Sequence, residues 1–294
     1  MRTEPICVPC FIRGAQDTAK LLGLSQENLD RFVREAGRLA AAHNPAFSPP
    51  VLGQQIQRCL RALAGPDPYA TIKAQSNALA WRLLPDITRL VATAADPFEA
   101  ALRYAIAGNV IDFGKGHGIG EPEVLATLER FAAIHLDAAL VARVHQLCTN
   151  ARSIVVLTDN AGEIVFDRLL LERLPGKRVT IIVRGSPVIN DATLADAEVA
   201  KLSEFATVIA NGSDAPGTLI TDLSEPAYHA LTHADLVIAK GQGNFESLDP
   251  GPHDHLHLLL VKCPLVATQI GLAQGSPAII HHPGMLSHRL GLTS

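Results

Sequence analysis

The chain predicts an α/β protein: a Rossmann-like, mainly parallel sheet with helices on both faces, preceded by an all-helical N-terminal region. Three observations carry this. From about Gln16 to Leu147 apolar residues recur at helical spacing, and no strand candidate precedes Ile154. After Leu147 short β-branched runs alternate with segments of helix length, the pattern of β-α-β units joined by right-handed crossovers. The 294 residues are 48% hydrophobic but only 4% aromatic. A core of Ala, Leu, Val and Ile suits helices packed on a parallel sheet better than an aromatic-rich sandwich. At roughly 150 residues per domain the length suggests two units, a helical one over 1–150 and an α/β one over 151–294.

Within the helical region, Ser25 is placed to cap a helix whose apolar face holds Phe32, Val33, Ala36, Leu39 and Ala40. Asn44-Pro45 and Ser48-Pro49-Pro50 punctuate the chain, with Pro suited to the first turn of the next helix. A helical run from Tyr69 to Leu84 is expected to stop at Pro85. Further helices are expected from Asp96-Pro97, from Glu121-Pro122 and after Asp137. Strand candidates then follow at Ile154–Leu157, Val179–Val183, Ala206–Ala210, Asp235–Ala239 and Leu256–Val261. Helical segments are read at Glu163–Leu174, Asp191–Leu202 and near Ser224–Thr232.

Composition excludes several classes. A net charge of −4 gives no electrostatic reason to expect nucleic acid or an anionic membrane as partner. The opening residues lack the apolar run of a signal peptide, and no apolar stretch reaches about 18 residues. A soluble, cytoplasmic protein is expected, its oligomeric state left open. Five cysteines, an odd number in a long chain, argue against a secreted disulfide framework. Cys7-Val8-Pro9-Cys10 reads as half a zinc site, a redox dithiol or two buried thiols. Cys59, Cys148 and Cys263 supply no second pair.

The polar residues collect at strand ends. In a parallel sheet these share one edge, where ligands meet helix N-termini. The first strand runs into Asp159-Asn160, the second into Arg184 and Asp191, the fourth into Lys240-Gly241-Gln242-Gly243-Asn244. Asp159, Asn160 and Asp191 offer oxygen ligands to one divalent cation, with room for water and substrate. Such ligands favour Mg or Mn, and also accept Co or Ni. Lys240 adds a positive charge, Gly241 and Gly243 allow close backbone approach to phosphate, and the N–H groups near Gly162 and Glu163 can receive an anion. The chemistry suggested is metal-assisted attack at phosphorus, by a metal-activated water or by Asp159 as nucleophile. A single junction of this kind is more often just a helix cap; the coincidence at three strand ends favours a site. The dinucleotide fingerprint, Walker A and nucleophile-elbow patterns are absent.

Two further stretches stand out. The segment 107–118 holds four glycines and reads, on composition, as a flexible interhelix loop; the functional alternative presents Asn109 and Asp112 to the site. His253-Asp254-His255-Leu256-His257 is expected to be structural or solvent-facing rather than a metal clip.

Taken together, DNAGEIVFD, VRGSPVINDAT, KGQGNFESL and the GNVIDFG segment resemble the damage-control phosphatases, formerly domain of unknown function 89. The short-chain microbial-type branch is most similar, since it also tends to carry a C-x-x-C like Cys7/Cys10 and a Lys-Cys-Pro like Lys262-Cys263-Pro264. The resemblance implies a metal-dependent phosphatase of small phosphorylated metabolites. By it, Asp159, Asn160 and Asp191 match metal ligands, Lys240 a phosphate-facing lysine, and Asn109 and Asp112 a substrate-side segment. That match overrides the flexible-loop reading. Gly162, Glu163, Arg184, Gly241, Gly243 and Asn244 fall in the matching motifs as candidate substrate contacts, and Cys7, Cys10 and Cys263 as a candidate accessory site.

Overall fold

The computed structural model describes residues 1–110, 121–248 and 251–292. Seven helices come first: α1 (Cys7–Leu21), α2 (Gln26–Ala42), α3 (Pro49–Ala64), α4 (Ala70–Thr93), α5 (Pro97–Ala107), α6 (Glu121–Ala132) and α7 (Ala138–Asn150). Their starts follow local chemistry. Ser25 Oγ accepts the Asn28 N–H, Asp96 accepts those of Phe98 and Glu99, and Asp137 that of Ala139, each satisfying donors a helix start leaves free.

Pro85 does not stop α4, contrary to expectation: the helix runs on to Thr93. An interior proline costs roughly 3 kcal/mol in a helix. Here Leu83, Ile87 and Val91 are all buried in the largest core cluster, and burying each such side chain returns about 1.5–3 kcal/mol. Packing outweighs the missing N–H.

The second half alternates β1 (Ser153–Leu157), α8 (Glu163–Leu171), β2 (Arg178–Val183), α9 (Leu194–Val199), β3 (Thr207–Ala210), α10 (Glu225–Thr232), β4 (Leu236–Lys240), α11 (Gln242–Ser247), β5 (Asp254–Leu260), α12 (Pro264–Ile270), β6 (Pro277–His282) and α13 (Met285–Leu290). The sheet order is β3-β2-β1-β4-β5-β6, parallel except for the antiparallel β5–β6 pair. The winding reverses between β1 and β4, so the crevice beyond their carboxyl ends is the switch point where such sheets hold ligands.

One strand expectation needs correction. β6 was not foreseen; it opens on Pro277 and lies at the sheet edge, where proline costs no ladder bond. Of the two alternatives for the His-rich segment, the structural one is observed: all seven positions of β5 are buried, and His253 just before it is half-buried. Both faces of that strand are covered. Burial lowers the His255 imidazole to about 4 and that of His257 to about 3. Helix α9 begins at Leu194 rather than Asp191, since Thr193 and Asp196 form a capping box there.

The largest core cluster joins α4 through α8 to β1, β2, β4 and β5. A second cluster packs α1, α2 and α3 together and also holds Ile189, from the loop after β2. No helix among the described residues is long and apolar enough to cross a membrane.

Candidate functional site

The turn after β1 and the loop after β2 meet as a small two-stranded bridge. Asn160 pairs with Asp191, the Ala192 N–H donates to the Asp159 carbonyl at 2.7 Å, and the Ala161 N–H donates to that of Asn190 at 2.9 Å. The sheet thus carries the two acidic segments to its edge, and backbone bonds lock them side by side. Asp159 and Asp191 are both buried.

Asn109, in a short 3₁₀ turn after α5, reaches this centre. Its Nδ2 donates to Asp159 Oδ2 at 2.5 Å and to Glu163 Oε2 at 2.7 Å. Asn160 Nδ2 donates to the same two oxygens, at 2.7 and 3.1 Å. The Asn109 Oδ1 is buried and has no hydrogen-bond partner among the described residues. Asp112 lies outside the described residues.

Lys240 stands differently from expectation. Its ammonium donates to Glu163 Oε1 at 2.7 Å, Asp167 Oδ1 at 2.6 Å and the Ala105 carbonyl at 2.9 Å, and the residue is 1% exposed. All three N–H donors are spent on the protein's own oxygens. Burial works against its charge, but Asp167 and Glu163 more than offset this and raise its pKa. Asp167 is itself raised to about 6, by burial above all. The spacing of Glu163 and Asp167 puts both carboxylates on one face of α8.

Arg184 is partly spent on protein, while its Nη2 is buried with no hydrogen-bond partner among the described residues. Its Nε donates to Asp191 Oδ2 at 2.6 Å and its Nη1 to Asn244 Oδ1 at 3.2 Å. Asn244 also accepts from Thr218 Oγ1 and donates to the Thr158 and Lys240 carbonyls, which leaves it nothing for a substrate. The Gly162 N–H, expected to receive an anion, donates to Asn77 Oδ1 at 2.7 Å. A Cβ on Gly243 would sit 2.1 Å from the Pro216 carbonyl oxygen, so this glycine backs onto a neighbouring loop. At Gly241 φ is +80°, and an added Cβ would lie 2.1 Å from the Asp159 carboxylate. Only glycine lets β4 turn away that close to the acid.

Electrostatics follow from this packing. Burial, then the charges of Glu163 and Asp191, raise Asp159 to about 7. Asp191 is raised by burial despite Arg184. Lys262, an exposed side chain after β5, lies close enough for its charge to favour the ionised form of both. Sequence reasoning missed this lysine as a site residue; its place in the Lys262-Cys263-Pro264 motif was the available signal.

The residues present fit a hard divalent cation. Four buried carboxylates, Asp159, Glu163, Asp167 and Asp191, face two buried cations, Lys240 and Arg184, and full ionisation leaves two negative charges unbalanced. Lys240 serves Glu163 and Asp167 and Arg184 serves Asp191, so Asp159 receives only neutral amides. The unpartnered Asn109 oxygen adds a further hard donor. No three His, Cys, Asp or Glu side chains converge in metal-holding geometry among the described residues; the expected set contains two carboxylates and an amide.

Cys7 and Cys10 occupy the first turn of α1, and Cys263 lies near enough to affect both electrostatically. All three are free, and burial raises the thiols of Cys7 and Cys10, the reverse of an activated dithiol. A concavity of about 660 Å³ flanks β6 and α7 and contains none of the acidic site residues above.

Residues 3–277 match the model of the damage-control phosphatase ARMT1-like domain. A damage-control phosphatase of Archaeoglobus fulgidus is 34% identical over 94% of this chain and 97% of its own length. One from Pyrococcus horikoshii is 30% identical over 94% of this chain and 96% of its own. The crystal structure of a DUF89 family protein from P. horikoshii superposes with a TM-score of 0.87 at 28% identity, covering 96% of this chain and all of that one. From its strand-end acids to its helical first half, the chain belongs to the damage-control phosphatase family.

Proposed function

We propose that this protein is a metal-dependent phosphatase that hydrolyses small phosphorylated metabolites: phosphosugars, nucleotides or damaged cofactor phosphates. The observation that carries the reading is the uncompensated negative charge of the buried acids at the sheet's switch point, centred on Asp159. Asp159, Asn160 and Asp191 would hold one divalent ion (Mg, Mn, Co or Ni). When bound, that ion supplies Lewis-acid stabilisation of phosphate oxygens and lowers the pKa of a coordinated water.

The chain's own groups do the rest. Arg184 keeps Asp191 ionised and oriented. Lys240 neutralises Glu163 and Asp167, so that Glu163 can accept the Asn109 and Asn160 amides and fix both side chains. Lys262, at the exposed side of the acids, draws the phosphate dianion and offsets charge on its oxygens. Asn109, and Asp112 after it, form the substrate side. Family membership and the names of the relatives support the phosphatase assignment.

The test is phosphate release from sugar phosphates, nucleotides and cofactor phosphates, with each of the four metals and with excess EDTA. Wild type is expected to be active only with metal, and Asp159→Ala and Asp191→Ala to lose that activity. Undiminished release in either variant or in EDTA would sink the assignment. Metal-dependent ligand binding with no release anywhere would instead identify a non-catalytic binder.

A further inference from the structure

Beside Asn109, the helical first half contributes a second buried side chain at the edge of the site. Asn77, on α4, is 2% exposed and has both ends of its amide engaged. Its Oδ1 accepts the Gly162 N–H at 2.7 Å, and its Nδ2 donates to Asp196 Oδ1 at 3.0 Å. The other Asp196 oxygen accepts from the Thr193 backbone N–H at 2.9 Å, Thr193 Oγ1 at 2.7 Å and Lys73 Nζ at 3.2 Å. Lys73 in turn pairs with Asp67 at 2.8 Å.

Gly162 ends the turn that carries Asp159 and Asn160. Thr193 ends the loop that carries Asp191. One amide therefore ties together the two backbone segments that supply Asp159, Asn160 and Asp191. Both segments need holding: Gly162 has φ +80°, and Ile189, two residues before Asp191, has φ +44°, a left-handed conformation that costs a β-branched residue about 1–3 kcal/mol. The Ile189 side chain packs against the helical cluster of α1 to α3, so the same half of the protein props that loop from its other side.

We propose that Asn77 is a positioning residue, setting the separation of Asp159 and Asp191 through Gly162 and Asp196. The inference rests on the metal-phosphatase reading above. Its measure is Mn affinity, read directly by calorimetry on the full chain, without substrate. Asn77→Ala is expected to weaken Mn binding about tenfold or more, the range typical when a group orienting a ligand is removed. Ser76→Ala, on the same helix and equally buried but bonded only to the Ile72 carbonyl, should leave it unchanged.

The decisive variant pair exploits the shape of the amide. Asn77→Asp keeps an acceptor for Gly162 but loses the donor toward Asp196. Combining it with Asp196→Asn restores a donor–acceptor pair of reversed sense. The single substitution should bind Mn more weakly and the double should recover. Equal affinity of single and double, or wild-type affinity in Asn77→Ala, overturns the proposal. If Asn77→Ala does not fold, the pair decides alone. Absence of Mn binding in wild type would overturn the metal reading itself, a separate outcome.

Discussion

Lys240 offers the sharpest test of how the site is built. Lys240→Met removes the ammonium but keeps most of the stem volume. Glu163 and Asp167 then lose the only cation paired with them among the described residues, while remaining buried at 0% and 3% exposure. Breaking a buried pair from one side costs about 3–5 kcal/mol. The loss has a ceiling, because an orphaned carboxyl can take up a proton. For Asp167, whose ordinary value is 3.8, being held neutral at pH 7 costs at most about 4 kcal/mol at roughly 1.4 kcal/mol per unit. At pH 5 the same ceiling is under about 2 kcal/mol. Urea denaturation of wild type and variant at both pH values is therefore expected to show a loss of about 3–5 kcal/mol at pH 7 that shrinks by about half at pH 5. The sign follows from linkage: the variant raises a carboxyl pKa in the folded state, so its deficit is largest where the unfolded chain is ionised. A deficit under 1 kcal/mol at pH 7, or one that grows on acidification, would refute the buried-triad account and return Lys240 to the role of a phosphate ligand.

Other outcomes follow from the same geometry. Gly241→Ala drives a methyl into the Asp159 carboxylate and meets a positive φ; it is expected to cost at least about 1–2 kcal/mol and to abolish metal-dependent phosphate release, and a variant with normal turnover would disprove the contact. Lys262→Ala should raise KM for phosphorylated substrates about tenfold, a loss of about 1.4 kcal/mol, with little change in melting temperature; unchanged steady-state kinetics would remove it from the site. His255 and His257, ordinarily 6.5 but held near 4 and 3, stabilise the fold fully above about pH 6.5 and lose that contribution as pH falls toward their folded values. The unfolded chain gains about 2 kcal/mol from each at pH 5, and His257→Leu should lower the slope of stability against pH between 6.5 and 5 by up to about 1.4 kcal/mol per pH unit. A slope equal to that of wild type would contradict the burial of that imidazole.

Much of this protein was legible in its sequence where the signal is local. The change from helical to strand period after Leu147, the N-cap at Ser25, the helix starts at Asp96 and Asp137, and the β-α alternation follow from patterns spanning a few residues. The gathering of Asp159, Asn160, Asp191 and Lys240 at one sheet edge followed from parallel topology alone. Tertiary structure decided which groups those side chains spend themselves on. Lys240 meets Glu163 across 77 residues of chain, and Asn109 meets Asp159 across 50; no spacing rule encodes such partners. The Gly162 N–H went to Asn77 rather than to an anion, α4 passed through Pro85, and the His-rich strand became interior once β6 and the helices covered it. In each case a local preference worth about 1–3 kcal/mol was settled by neighbours arriving from elsewhere in the chain. The sequence thus determined where the acids lie, and packing determined which of them is left with amide partners and no ion pair among the described residues: Asp159.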